Sequence, residues 1–189
     1  MNAYKKQFNE EIIPKLQKRL KEDNVMAAPR LQKIVVNTSS REFLVDKKNI
    51  EKYAEDLMTI TGQKPKVVKA KVSVATFKLR EGDQIGLVVT LRGDRMYDFF
   101  EKLVKIVLPR VKDFSGVSRD SFDGHGNMTM GFSDQMVFPE IDSGKVDRIR
   151  SLQMILVTTA DTDEQGLALL EEMGMPFKKL PTEVKGGQK

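Results

Sequence analysis

The chain has 189 residues, 40% of them hydrophobic and 31% charged, with no cysteine, one histidine and a formal net charge of +5. This is the composition of a folded protein with a core of its own, and the lack of cysteine excludes disulfide frameworks, zinc knuckles and thiol catalysis. No run of about 18 apolar residues is present to span a bilayer, and Met1-Asn2-Ala3-Tyr4-Lys5-Lys6 lacks the apolar stretch of a signal peptide, so the expected location is the cytoplasm with no membrane partner.

The first predicted element is a helix over 4–21, with Phe8, Ile12, Ile13, Leu16 and Leu20 at helical spacing and Pro14 expected to break or kink it. A strand follows over 31–38. A second helix over 46–61 starts at Asp46 as N-cap, sets Ile50, Ala54, Leu57 and Met58 on one face, and ends at Gly62. Residues 66–70 read as a strand, 73–77 as a tip, and Gly82-Asp83 as a turn into the clearest strand, 84–92. A third helix over 94–108 stops at Pro109. Residues 112–136 read as loop with one short strand at 128–132, followed by a strand over 151–159 and a helix over 163–173. Gly174 and Pro176 end that helix. Residues 1–178 are expected to form a single domain and 179–189 a polar tail.

Charge is unevenly distributed. Between residues 64 and 80 lie Lys64, Lys66, Lys69, Lys71, Lys78 and Arg80 with no acidic residue, so this one segment holds more than the whole net charge. A concentrated basic patch suits a polyanion, whose binding releases condensed counterions. A solvated, lysine-rich strand pair that resists edge-to-edge association is the other reading.

Taken together, the elements predict an α+β fold of two layers: a largely antiparallel sheet with helices packed on one face and the other face open. Alternation along 84–92 turns Ile85, Leu87, Val89 and Leu91 toward the helices and leaves Gly86, Val88, Thr90 and Arg92 opposite. Along 31–39, Ile34 and Val36 point inward; Lys33, Val35, Asn37 and Ser39 point outward. The open face thus offers Lys33, Asn37, Thr90 and Arg92, donors suited to phosphates, riboses and base edges. An ordinary solvated sheet face would look similar.

Nothing converges on catalysis. His125 stands alone in Asp123-Gly124-His125-Gly126-Asn127, a poor metal site, and Gly124-x-Gly126 lacks the third glycine of a dinucleotide fingerprint. Thr61-Gly62-Gln63-Lys64-Pro65 is not a phosphate loop, and Arg92-Gly93-Asp94 lies at a strand-to-helix turn. Asp120, Asp123, Glu171 and Glu172 have no evident acid–base partner. No enzyme activity, metal or cofactor is therefore expected.

Eight stretches resemble, in order, the bacterial large-subunit ribosomal protein five family. They are Leu31-Gln32-Lys33-Ile34-Val35-Val36-Asn37, Ile60-Thr61-Gly62-Gln63-Lys64-Pro65, Phe77-Lys78-Leu79-Arg80-Glu81-Gly82 and Val89-Thr90-Leu91-Arg92-Gly93-Asp94-Arg95-Met96. Leu108-Pro109-Arg110-Val111-Lys112-Asp113-Phe114, Ser121-Phe122-Asp123-Gly124, Phe138-Pro139-Glu140-Ile141 and Thr158-Thr159-Ala160 complete the set. The resemblance covers about 4–178. It implies a structural, ribosome-bound protein of the central protuberance that holds 5S rRNA beside 23S rRNA and neighbouring large-subunit proteins. By that resemblance Asn37, Gln63 and Thr90 contact 5S rRNA, with Lys33 and Arg92 as neighbours. The family's extended loop, which reaches the peptidyl-site tRNA, corresponds here to Lys69, Lys71, Ser73, Phe77, Lys78 and Arg80. A bridge to a small-subunit head protein is also implied, with Pro109 to Phe114 as its candidate segment. Two departures stand out. Thr38-Ser39-Ser40-Arg41 replaces a glycine-containing loop, and His125 stands where the family usually has arginine.

Two competing classes remain at this point. An enzyme on nucleic acid would need a convergent acid–base or metal set, and a protein scaffold with an incidental basic loop would bind with little salt dependence.

Overall fold

The computed structural model describes residues 3–22, 24–40, 43, 47–142, 144 and 148–178. In chain order these form α1 (Ala3–Gln7), a π-helical turn (Phe8–Ile12), α2 (Ile13–Leu20), β1 (Leu31–Ser39), α3 (Lys47–Thr61), β2 (Lys66–Lys69) and β3 (Gln84–Leu91). They continue as α4 (Asp94–Lys102), a second π-helical turn (Leu103–Val107), α5 (Leu108–Arg110), β4 (Met128–Phe132), β5 (Leu152–Thr158) and α6 (Asp163–Glu172). Asp46, expected to cap α3, and the tail 179–189 lie outside the described residues.

Pro14 does not split the first helix. In a regular α-helix its ring would collide with a carbonyl one turn back and leave that acceptor unpaired. The π-turn relieves this by letting the Ile13 N–H reach back to the Phe8 carbonyl, so the register shifts just ahead of the proline. The same device serves Pro109. Leu108 N–H bonds the Leu103 carbonyl, and α5 then carries the proline in its first turn. The helix expected to stop at Pro109 therefore continues to Arg110.

All neighbouring strands are antiparallel, in the order β2-β3-β1-β5-β4. The expected two-layer α+β architecture is what the chain adopts. One sheet face meets the helices. Ile34 and Val36 of β1, Leu87, Val89 and Leu91 of β3, and Met154 and Leu156 of β5 are buried against Phe8, Leu16, Tyr53, Leu57, Phe100, Leu103 and Leu169. At about 1.5–3 kcal/mol for each large apolar side chain removed from water, this layer is what holds the fold together. Lys102 braces its rim: the ammonium donates to the Ile60 carbonyl and to Glu140 Oε1, both at 2.6 Å, above the Phe99 ring.

The segment 123–127 is a clamp. Asp123 accepts from the backbone N–H of His125 and Asn127 and from the Asn127 side-chain amide. That amide, together with the two backbone donors, holds the Asp123 carboxyl below its ordinary range. Asp163, in the first turn of α6, takes the N–H of Gly124 and of Gly126 on its two oxygens, 3.1 and 2.9 Å away. Both carboxylates are thus spent on donors within the fold. His125 is exposed, and its backbone N–H is engaged within the loop.

Candidate nucleic-acid interface

Register sets what the open face presents. Asn37 pairs with Val88 on one side and Gln153 on the other; Lys66 pairs with Val88, and Gly131 with Gln153. One rung therefore crosses all five strands as Lys66, Val88, Asn37, Gln153 and Gly131. The adjacent rung runs Thr90, Val35, Ile155 and Thr129. Asn37 and Thr90 are diagonal neighbours, about 7–8 Å apart by strand geometry. Lys33 and Arg92 flank the Ile34–Leu91 pair, at the opposite end of β1 from Ser39.

The expected 5S-contact residues Lys33, Asn37 and Thr90 are half-buried on this face, and Arg92 is exposed beside it. Gln63 joins them from the α3–β2 connection. Its side-chain amide donates to the Thr90 carbonyl at 3.2 Å, a backbone acceptor just beyond the reach of the short strand β2. Gln63 therefore has a structural bond of its own, whereas the side chains of Asn37 and Thr90 make no hydrogen bond among the described residues. Sequence alternation missed Gln153 and Thr129. Each was legible as an outward position between buried neighbours, but nothing local placed β5 and β4 beside β1. The face is also less polar than expected, because Val35, Val88, Ile155 and Val157 separate the donors.

Residues 70–83 form a self-bonded arm. Its base is closed by Ala70 N–H to the Asp83 carbonyl and Gly82 N–H to the Ala70 carbonyl. Further out, Val74 and Leu79 exchange backbone hydrogen bonds around a 3₁₀ turn, Ala75–Phe77, that ends at Lys78 in the left-handed conformation. The Arg80 N–H donates to Asp83 Oδ2, and the Glu81 N–H to the Ser73 hydroxyl. Lys69, Lys71, Lys78 and Arg80 are exposed around it. Val72 and Phe77 project into solvent, 68% and 62% exposed, where an apolar side chain gains nothing unless a partner covers it. The tip at 73–77 was legible from local residues; the cross-bonds that stiffen it were not.

Among the described residues no group of three or more His, Asp or Glu could hold a metal ion, and no helix is long and apolar enough to cross a membrane.

Two family models match the chain: ribosomal protein L5 over residues 24–80 and the C-terminus of the same ribosomal family over 84–177. The first contributes β1 and β2 and the second β3, β4 and β5, all to the one sheet. Among curated proteins, the large ribosomal subunit protein uL5 of Lactobacillus delbrueckii subsp. bulgaricus is 51% identical over 178 residues, covering 94% of this chain and 99% of that protein. The uL5 of Acholeplasma laidlawii is 51% identical over 177 residues, covering 94% and 98%. That of Chloroflexus aurantiacus is 52% identical over 174 residues, covering 92% and 97%.

Proposed function

The chain belongs to the uL5 family of large ribosomal subunit proteins, a structural and non-enzymatic family, and from that premise we propose that it holds 5S rRNA on the open face of its sheet. It is a structural constituent of the large subunit and works in the cytoplasmic ribosome. The observation that carries the finer reading is the five-strand rung through Lys66, Asn37 and Gln153, with Thr90 diagonal to Asn37. Asparagine and glutamine amides donate and accept together, which suits the fixed edges of a folded RNA. The intervening valines and isoleucine offer apolar contact to sugars.

The arm is the second contact. Its lysines supply attraction to phosphate, and Phe77 supplies a ring on which a base or ribose can stack. The peptidyl-site tRNA is its proposed target. Residues 109–114, where Arg110 and Lys112 are exposed, are the candidate contact for a small-subunit head protein.

Binding of the purified protein to labelled 5S rRNA across a salt series tests the sheet-face assignment, with tRNA and an unrelated structured RNA as competitors. Selective 5S binding that weakens steeply with salt is expected, because neutralised phosphates release counterions. Equal affinity for all three RNAs would leave a generic basic surface and sink the assignment.

Lys69→Ala/Lys71→Ala is expected to weaken tRNA binding and lower its salt slope by about one for each phosphate no longer neutralised. Affinity for 5S rRNA should stay at the parental value. Loss of 5S binding in this double variant, still folded by circular dichroism, would show that the arm and the face do not divide the work.

A further inference from the structure

At the Ser39 end of the open face, a small cavity of about 140 Å³ is lined by Ser39, Ser40, Ile149, Arg150 and Ser151. Arg150 is 9% exposed and its Nε is buried without a hydrogen-bond partner. No ion pair to it occurs among the described residues. Among the described residues its close partner is aromatic: the guanidinium carbon lies 4.8 Å from the centre of the Tyr53 ring. Burial pushes the Tyr53 hydroxyl up to about 12, so that ring is a neutral π surface and not a counter-charge. A cation–π contact offsets only part of what it costs to bury an ion. Among the described residues the guanidinium has no anion.

The surroundings suit one kind of anion. The Thr38 hydroxyl donates to the Ser151 carbonyl at 2.9 Å, which pins β1 to the start of β5 and sets Ser39 and Ser151 on one cavity wall. Serine hydroxyls donate readily to oxyanions, and guanidinium matches phosphate with two parallel N–H groups. The same two serines also line a depression of about 440 Å³ that contains Asn37, Ser133 and Gln153. An oxyanion at Arg150 is therefore continuous with the proposed base and ribose contacts.

We propose that Arg150, Ser39 and Ser151 form a phosphate oxyanion site that anchors the RNA backbone at this end of the sheet face. The assignment to RNA rests on the binding function proposed above; the oxyanion chemistry does not.

The test uses the full chain. Inorganic phosphate is titrated while the Arg150 Nε–H and the Ser39 and Ser151 amide resonances are followed by NMR, in the parent, Arg150→Met and Arg150→Lys. In parallel, 5S rRNA affinity is measured across salt. The parent resonances should shift with phosphate, and Arg150→Met should lose the response. Its RNA affinity should fall about tenfold, with the salt slope reduced by about one. Arg150→Lys keeps the charge without the fork and should recover only part of both. A lost phosphate response with unchanged RNA affinity also supports the oxyanion site and makes a free phosphate its ligand. An Arg150→Met protein that melts like the parent and matches it in both readouts overturns the proposal. Should Arg150→Met not fold, Ser39→Ala/Ser151→Ala probes the same cavity with the cation in place. If the parent fails to bind 5S rRNA, the sheet-face function falls while the phosphate titration still decides this site.

Discussion

Replacing Gly166 by alanine is expected to lower the stability of the fold by about 2–3 kcal/mol. Helix propensity alone points the other way, since alanine in a helix interior is favoured over glycine by about 1 kcal/mol. Packing decides the sign. A Cβ on Gly166 would sit 2.5 Å from the Gly126 carbonyl oxygen and 2.9 Å from its Cα, both backbone atoms that cannot swing aside. Gly126 cannot retreat either. It holds φ +71°, its N–H is bound by Asp163, and its carbonyl accepts from the Thr158 hydroxyl at 2.8 Å. The methyl would therefore push α6 off the clamp that joins it to β5. Urea denaturation of Gly166→Ala beside Gly131→Ala measures this. Gly131 lies in β4 with nothing within 4 Å of an added methyl and φ in the ordinary range, so its change should stay within about 0.5 kcal/mol. Equal stability of the two variants would mean that the helix and loop yield more readily than their hydrogen bonds suggest.

Asn37→Ala and Thr90→Ala are each expected to weaken 5S rRNA binding by about 1–3 kcal/mol, the cost of leaving a buried RNA group without its partner. Stability should barely change. Both side chains lie half-buried on the open face and make no hydrogen bond among the described residues, so no bond to those residues is lost. Gln63→Ala is a poorer probe, because it also removes the bond to the Thr90 carbonyl and would mix stability with affinity. As diagonal neighbours, Asn37 and Thr90 fall within coupling distance, so their double variant need not show the sum of the two single effects. Parental affinity in the double variant, with an unchanged melting temperature, would move the RNA off the sheet face altogether.

Much of this molecule was legible because its signals are local. Alternation along β1 and β3 depends only on the two-residue repeat of an extended chain, and it sorted Ile34 and Val36 from Asn37, and Leu87 and Val89 from Thr90, correctly. The basic run at 64–80 and the β4 strand at 128–132 are likewise properties of short stretches. The stop expected at Pro109 was misread for a related reason: a local rule states that proline cannot sit inside an α-helix, but not that a π-turn one step earlier removes the conflict.

What the sequence could not supply was adjacency. β1 lies between β3 and β5, with Asn37 beside Val88 on one side and Gln153 on the other, residues far away in the chain. Inward and outward directions were set by each strand alone; which outward residues share a rung was set by register, and register is chosen by the shared core. The same holds for Arg150, an unremarked basic residue in the sequence whose burial against Tyr53 of α3 exists only once the helix is laid on the sheet. Composition and periodicity determined the class of fold and the kind of surface, while the tertiary structure alone decided which donors stand together, because distant strands are brought into contact by burial of the opposite face.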